Sequence, residues 1–199
     1  NMYTIAGAFK DCKTLESITV EPGHTLFVTD GKALYRKTSF SSGDGLILEY
    51  YLPSKAQGNI TLNSDVHAIG AYAFYGCKGI NEVAAKDLEY VDSFAFANSS
   101  ITKFSANGDY YIFDSAFKNC KNLQSINLEN INNIDTAAFE NCTSLKNVTF
   151  SKDIAYIGPL AFSNTGLTEV VIHGDGCEIY EGAFKNCANL QSVRLEEGV

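Results

Sequence analysis

The stretch AFKNCKNLQSINLENINNIDTAAF, Ala116–Phe139, decides the fold. It begins and ends on the same dipeptide. Ala-Phe closes at Phe9, Phe74, Phe96, Phe117, Phe139, Phe162 and Phe184, and the last six phenylalanines are 22, 21, 22, 23 and 22 residues apart. A period in that range marks a solenoid, whose units bury their apolar edges only by stacking on one another.

Within the unit, Leu123, Ile126 and Leu128 alternate with polar residues as a short strand with one buried face. The frame recurs at Leu145/Val148/Phe150, Leu167/Val170/Ile172 and Leu190/Val193/Leu195, and more weakly at Leu15/Ile18/Val20, Ile80/Val83/Ala85 and Ile101/Phe104/Ala106. A further copy is reduced to Ile60/Leu62. One copy per period predicts a ladder of parallel strands about 4.8 Å apart.

A second apolar anchor stands five residues before each of the last six phenylalanines: Ile69, Val91, Ile112, Ile134, Ile157 and Ile179. Asp92-Ser93, Asp114-Ser115, Asp135-Thr136 and Gly158-Pro159 follow it, residues suited to a helix N-cap and first helical position, so a short helical turn carrying Ala-Phe is expected. Two residues past phenylalanine stand Asp11, Gly76, Asn98, Asn119, Asn141, Asn164 and Asn186, all types that tolerate the left-handed conformation. The next residue is always small: Cys12, Cys77, Ser99, Cys120, Cys142, Thr165 or Cys187.

Between Phe9 and Phe74 the pattern lapses for 65 residues. Thr25–Tyr35 reads as a hairpin closed at Asp30-Gly31, followed by a polar loop over Ser39–Gly45 and a strand over Leu46–Tyr51. An inserted hairpin module over residues 21–59 is favoured over two degenerate coils.

A net charge of −8 with scattered Lys and Arg argues against nucleic acid. No apolar run is long enough to span a membrane, so no insertion is expected from this segment. Asn1 opens close to an Ala-Phe unit and Gly198-Val199 follows an apolar strand, so residues 1–199 read as a single solenoid cut at both ends, with targeting and anchoring segments elsewhere.

The pattern I-x-x-x-A-F-x-x-C-x-x-L-x-x-V-x-F, with Asp30, Gly31, Leu34 and Tyr35 in an intervening DG-x-LY module, resembles the BspA-like leucine-rich repeat family. The resemblance covers nearly the whole chain. It implies an α/β repeat solenoid, a leucine-rich repeat array of units of about 22 residues. One side would be a parallel strand ladder and the opposite side short helical turns. It also implies a secreted or cell-surface protein, bacterial ahead of protozoan, that adheres without catalysis to a protein ligand such as host extracellular matrix or another cell surface.

Repeat architecture absorbs most residues that could suggest chemistry. Five of six cysteines occupy one repeat position, and reduced core thiols titrating only on unfolding are expected, with Cys177–Cys187 the one intra-unit pair open to a disulfide. The acids at Asp114 and Asp135 read as caps. His173, Asp175 and Cys177 alternate like metal ligands in an extended segment, but a local cluster with two glycines is more often a loop, and no metal or cofactor is expected. No nucleophile elbow, phosphate loop or H-E-x-x-H motif is present, so an enzyme is not expected. Of the glycosylation triplets at Asn59, Asn98, Asn141 and Asn147, those at Asn98 and Asn141 arise from the turn position.

What remains for binding is the outward face of the strand ladder. Ser125, Asn127, Glu129, Asn147, Thr149, Glu169, His173 and Arg194 are its candidate contact residues, with Ser151, Val171, Ser192 and Glu196 alongside. This strip has no aromatic platform, which favours a protein ligand bound through hydrogen bonds over a stacked glycan. The runner-up reading is a passive spacer presenting another domain. A monomer is expected.

Overall fold

In the computed structural model, residues 5–173 and 176–196 are described, and they form fifteen short strands. In chain order these are β1 (Phe27–Thr29), β2 (Ala33–Phe40), β3 (Gly43–Tyr51), β4 (Gln57–Thr61) and β5 (Val66–Ile69). They continue with β6 (Gly79–Asp87), β7 (Tyr90–Val91), β8 (Lys103–Asn107), β9 (Tyr111–Ile112) and β10 (Ser125–Ile126). The last five are β11 (Asn133–Ile134), β12 (Tyr156–Ile157), β13 (Glu169–His173), β14 (Glu178–Ile179) and β15 (Ser192–Glu196).

The chain winds as a β-solenoid of about seven turns, and each coil lends a strand to two ladders rather than one. The expected ladder runs β4-β6-β8-β10, passes through a single parallel bridge between Leu128 and Phe150, and resumes as β13-β15. The second ladder is the longer and the unexpected one. Each anchor proves to lie in a strand, buried from Ile69 to Ile157 and exposed at Ile179, and β3, β5, β7, β9, β11, β12 and β14 pair in parallel with Ile69, Val91, Ile112, Ile134, Ile157 and Ile179 in register.

The short helical turns are not there: no helix occurs among the described residues. Left-handed backbone at two places per unit rules one out. The residue two after phenylalanine has positive φ at Gly76, Asn98, Asn119, Asn141, Asn164 and Asn186, as the sequence implies, with Asp11 the exception. The residue two before it is also left-handed: Gly7, Tyr72, Phe94, Ser115, Ala137, Leu160 and Gly182, with φ of 55–69°. A helix requires negative φ throughout.

The backbone closes successive β-turns instead, with the left-handed residue third in the first and last of them, where a type II turn needs it. In the reference unit the N–H groups of Ala116, Lys118 and Cys120 donate three residues back, to Phe113, Ser115 and Phe117. The N–H groups between them, of Ser115, Phe117 and Asn119, donate sideways to the carbonyls of Thr136, Ala138 and Glu140 on the next coil. Every amide from Ser115 to Cys120 is therefore satisfied, as buried backbone requires. Ser115 and Thr136 are turn residues and not caps, and Pro159 sits second in its turn, where its fixed φ is favoured.

The Ala-Phe rings form one column through the solenoid. Tyr51, Phe74, Phe96, Phe117, Phe139, Phe162 and Phe184 follow one another at centroid spacings of 5.0, 4.9, 4.9, 5.3, 5.0 and 5.6 Å, all stacked. The five rings from Phe74 to Phe162 are 0% exposed, and burying each contributes about 1.5–3 kcal/mol. Burial falls at the last described strand: Val193 and Leu195 in β15 are 56% and 70% exposed.

Phe9 is outside the column and packs on Tyr50 at 5.6 Å, while Tyr51 takes the phenylalanine position at the column's start. Residues 27–51 explain why. β1, β2 and β3 are an antiparallel meander whose last strand, β3, is the first strand of the anchor ladder. Its outer turn is the narrow Ser41-Ser42, because the strands run through most of the expected Ser39–Gly45 loop. Where the meander meets the array, the Glu49 carboxylate is buried and accepts from the Arg36 guanidinium.

Candidate interaction surface

The small residue after the left-handed stop carries a hydrogen-bond donor. The Cys120 thiol donates to the Phe96 carbonyl at 3.0 Å, Cys142 to Phe117 at 3.2 Å and Cys187 to Phe162 at 3.1 Å. The Thr165 hydroxyl donates to the Phe162 carbonyl at 2.9 Å, and the Ser99 hydroxyl lies 3.5 Å from the Cys120 sulfur. All six cysteines are free. Burial pushes the Cys77 and Cys120 thiols up to about 12, and Cys142 is raised for the same first reason. Such thiols are inert at neutral pH. Cys12, however, is exposed, and Cys177 and Cys187 are half-buried, so the expectation of six shielded thiols fails for the terminal coils.

The asparagines at the stop form a ladder of their own. The Nδ2 of Asn119 donates to Asn98 Oδ1 at 3.0 Å, Asn141 to Asn119 at 2.8 Å and Asn164 to Asn141 at 2.5 Å. Of the glycosylation triplets, Asn141 thus has its amide nitrogen engaged as a donor, while Asn98 takes part through its oxygen alone.

On the polar strip, Ser125, Asn127, Glu129, Asn147, Thr149, Glu169 and Arg194 are exposed and His173 is half-buried. They are not one cluster. Asn127 is tied into a local turn, its Oδ1 accepting from the Glu129 N–H at 2.9 Å. Apart from Glu129, the charged members gather on β13 and β15, where Arg194 lies 3.6 Å from Glu169 and 3.1 Å from Glu196, and His173 lies 2.9 Å from Glu196. Ser151, counted with the strip by spacing, is 3% exposed and turns inward. The trio of His173, Asp175 and Cys177, which alternates like metal ligands in the sequence, includes Asp175, which lies outside the described residues. Among the described residues no three potential ligands converge, and no helix is long and apolar enough to cross a membrane.

A surface that the strand-frame reading missed lies on the outward side of the anchor ladder. The residues flanking each anchor form two columns there, Ala68/Tyr90/Tyr111/Asn133/Tyr156/Glu178 and Gly70/Asp92/Phe113/Asp135/Gly158/Tyr180. Tyr111, Phe113 and Tyr180 are 51%, 36% and 44% exposed. Phe40 from the meander meets Tyr90 at 6.4 Å, Tyr90 meets Phe113 at 5.9 Å, and Phe113 meets Tyr111 at 6.4 Å. Two coils on, Tyr156 and Tyr180 pair at 4.9 Å. Asp135 lies between the two aromatic groups, and burial together with the nearby Asp114 carboxylate holds it above the usual carboxylate range. Burial, with Asp92 alongside, pushes the Tyr90 hydroxyl up to about 12. The signal was in the sequence: Tyr precedes the anchor at Tyr90, Tyr111 and Tyr156.

The family model described as "BspA type Leucine rich repeat region" matches in six copies, over residues 47–165 and 110–199. No curated protein is similar enough to match. Among solved structures, a leucine-rich cell surface protein of Faecalibacterium prausnitzii is similar over 96% of this chain and 44% of its own, at 24% identity and a TM-score of 0.61. The pneumococcal vaccine antigen PcpA is similar over 90% of this chain and 45% of its own, at 20% identity and a TM-score of 0.72. A leucine-rich repeat protein of Eubacterium ventriosum is similar over 91% of this chain and 55% of its own, at 20% identity and a TM-score of 0.65. The chain spans less than half the length of the first two, and the likeness to all three establishes the fold.

Proposed function

As the chain belongs to the BspA type leucine-rich repeat family, we propose that it is a non-catalytic protein-interaction module, secreted or held at a bacterial surface. Its role on this reading is adhesion, to host matrix proteins or to other cells, and it acts as a monomer. The likeness to a leucine-rich cell surface protein of Faecalibacterium prausnitzii supports the compartment.

The observation that carries the reading is the form of the exposed polar strip. Its contact groups are spread along one side of a rigid ladder, with charge concentrated at Glu169, His173, Arg194 and Glu196 on β13 and β15. An extended surface of this kind suits a macromolecular ligand, whereas an enzyme needs reacting groups converging within about 3 Å of one point. The meander, within the stretch 21–59 that we read as an insertion into a single array, supplies a second contact. It carries a hollow of about 530 Å³ lined by Val28, Lys37, Ser39, Asp44 and Leu46.

The test is a binding screen of the whole chain against immobilised matrix proteins and intact cells, with Asn127→Ala and Arg194→Ala variants. The meander cannot simply be deleted, since β3 opens the anchor ladder, so its outer turn is altered instead by Ser41→Glu and Ser42→Glu. Saturable binding weakened by Arg194→Ala is the expected result. Absence of any ligand, together with unchanged adhesion when the array is replaced by an unrelated spacer, would establish the passive-spacer reading.

A further inference from the structure

Exposed aromatic rings in contact along a solvent-facing sheet are not explained by the core, which is filled by the phenylalanine column on the other side of the anchors. The outward columns of the anchor ladder hold Tyr90, Tyr111, Phe113, Tyr156 and Tyr180, and exposed apolar surface grouped in this way marks an interaction site.

The charge within these columns has one sign. Asp92 and Asp135 occupy the positions on either side of Phe113 in its own column, Asp114 follows Phe113, and Glu178 ends the neighbouring column. No Lys or Arg stands in either column. The guanidinium near Tyr90 belongs to Arg36, which is committed to Glu49. Among the described residues, Asp92, Asp114 and Asp135 have no cationic partner.

Aromatic faces attract cations through their quadrupole, and carboxylates beside them supply the counter-charge. The same chemistry already occurs within this molecule: Lys10 Nζ lies over the rings of Tyr72 and Tyr75, at 4.9 and 5.5 Å from their centroids. From Tyr90 to Tyr180 the columns cross four coil intervals, about 19 Å at the usual strand spacing, which an extended segment of about six residues covers.

We propose that the outward face of the anchor ladder, centred on Tyr111, Phe113 and Asp135, is a docking surface for an extended Lys- and Arg-rich segment of a partner protein. Basic side chains lie across Tyr111 and Tyr156 and reach Asp135 between them, while the alkyl stems cover Phe113. The surface is separate from the polar strip, so it stands or falls independently of that reading.

The test uses the whole chain and a fluorescein-labelled peptide of about eight residues alternating Lys and Ser, followed by anisotropy at about 150 mM salt. A matched Glu/Ser peptide and a neutral glucan oligosaccharide serve as competing probes. The Lys peptide is expected to bind, with affinity falling about fivefold in Tyr111→Ala and again in Asp135→Asn. Glu129→Gln removes the same charge from the other ladder and is expected to leave binding unchanged, as is Arg194→Ala. Equal weakening by Glu129→Gln and Asp135→Asn would mean diffuse attraction to an acidic protein and overturn the proposal. So would binding of the oligosaccharide, lost in Tyr111→Ala, in place of the Lys peptide.

Discussion

Asn141 donates from Nδ2 to Asn119 Oδ1 at 2.8 Å, across neighbouring coils and at the residue where each coil turns back. Asparagine does two things at that position. It accepts the left-handed backbone, φ 60° at Asn119 and 63° at Asn141, and its amide both donates and accepts along the solenoid axis.

The two roles separate by substitution. Asn119→Gly keeps the left-handed backbone but removes the amide links to Asn98 and Asn141, and is expected to cost about 1–2 kcal/mol. Asn119→Ala loses both and is expected to cost about 1 kcal/mol more. Urea denaturation measures the difference. Equal losses in the two variants would show that backbone conformation contributes nothing at this site.

The phenylalanine column predicts a gradient of sensitivity along the chain. Phe117 is fully buried and meets Phe96, Phe104 and Phe139, so Phe117→Ala should cost about 3–5 kcal/mol. Phe9 touches Tyr50 outside the column and is half-buried, so Phe9→Ala should cost clearly less. A comparable drop in urea midpoint for both would place Phe9 in the core.

The period, both apolar frames and the left-handed stop were legible because each imposes a residue type: Phe in the column, Ile or Val at the anchor, Asn or Gly at positive φ. The second left-handed position was not, because Tyr72, Phe94, Ser115, Ala137, Leu160 and Gly182 share no chemistry. From Tyr72 to Leu160 their N–H groups donate sideways to the next coil, a constraint that no local propensity encodes, and Ser and Pro beside them imitate a helix start. The aromatic surface was hidden by a related cause. Ile112 as an apolar anchor says nothing about its neighbours, and only the extended backbone at β9 turns Tyr111 and Phe113 out to the same side.

Arg36 and Glu49 join the meander to the array, and their pairing predicts an asymmetry between single and double substitution. Glu49 is 3% exposed, so Arg36→Ala leaves a buried carboxylate without its counter-charge and should cost about 3–5 kcal/mol. Arg36→Met with Glu49→Leu replaces the pair by apolar groups and should recover most of that loss. Thermal unfolding of both variants decides it. If the double variant is as unstable as the single one, the pair acts through geometry and not through charge.

The buried thiols predict a loss of stability in alkali. Cys77 and Cys120 hold their protons up to about 12 in the folded chain, against about 8.5 unfolded, and burial raises Cys142 as well. The folded state thus binds more protons above the unfolded value. The thiols' contribution is complete below about pH 8.5 and declines as pH rises toward the folded value, by up to about 1.4 kcal/mol per pH unit for each thiol. Raised tyrosines, Tyr35, Tyr90 and Tyr110 among them, act in the same direction at higher pH. Replacing Cys77, Cys120 and Cys142 together by Ala should flatten the fall in urea midpoint between about pH 8 and pH 10, even though the variant is less stable at neutral pH. A thiol reagent supplies the companion measurement: Cys12 reacts at once in the native protein, Cys177 and Cys187 more slowly, and the other three only on unfolding. An unaltered alkaline slope in the triple variant would assign the pH dependence to the tyrosines alone.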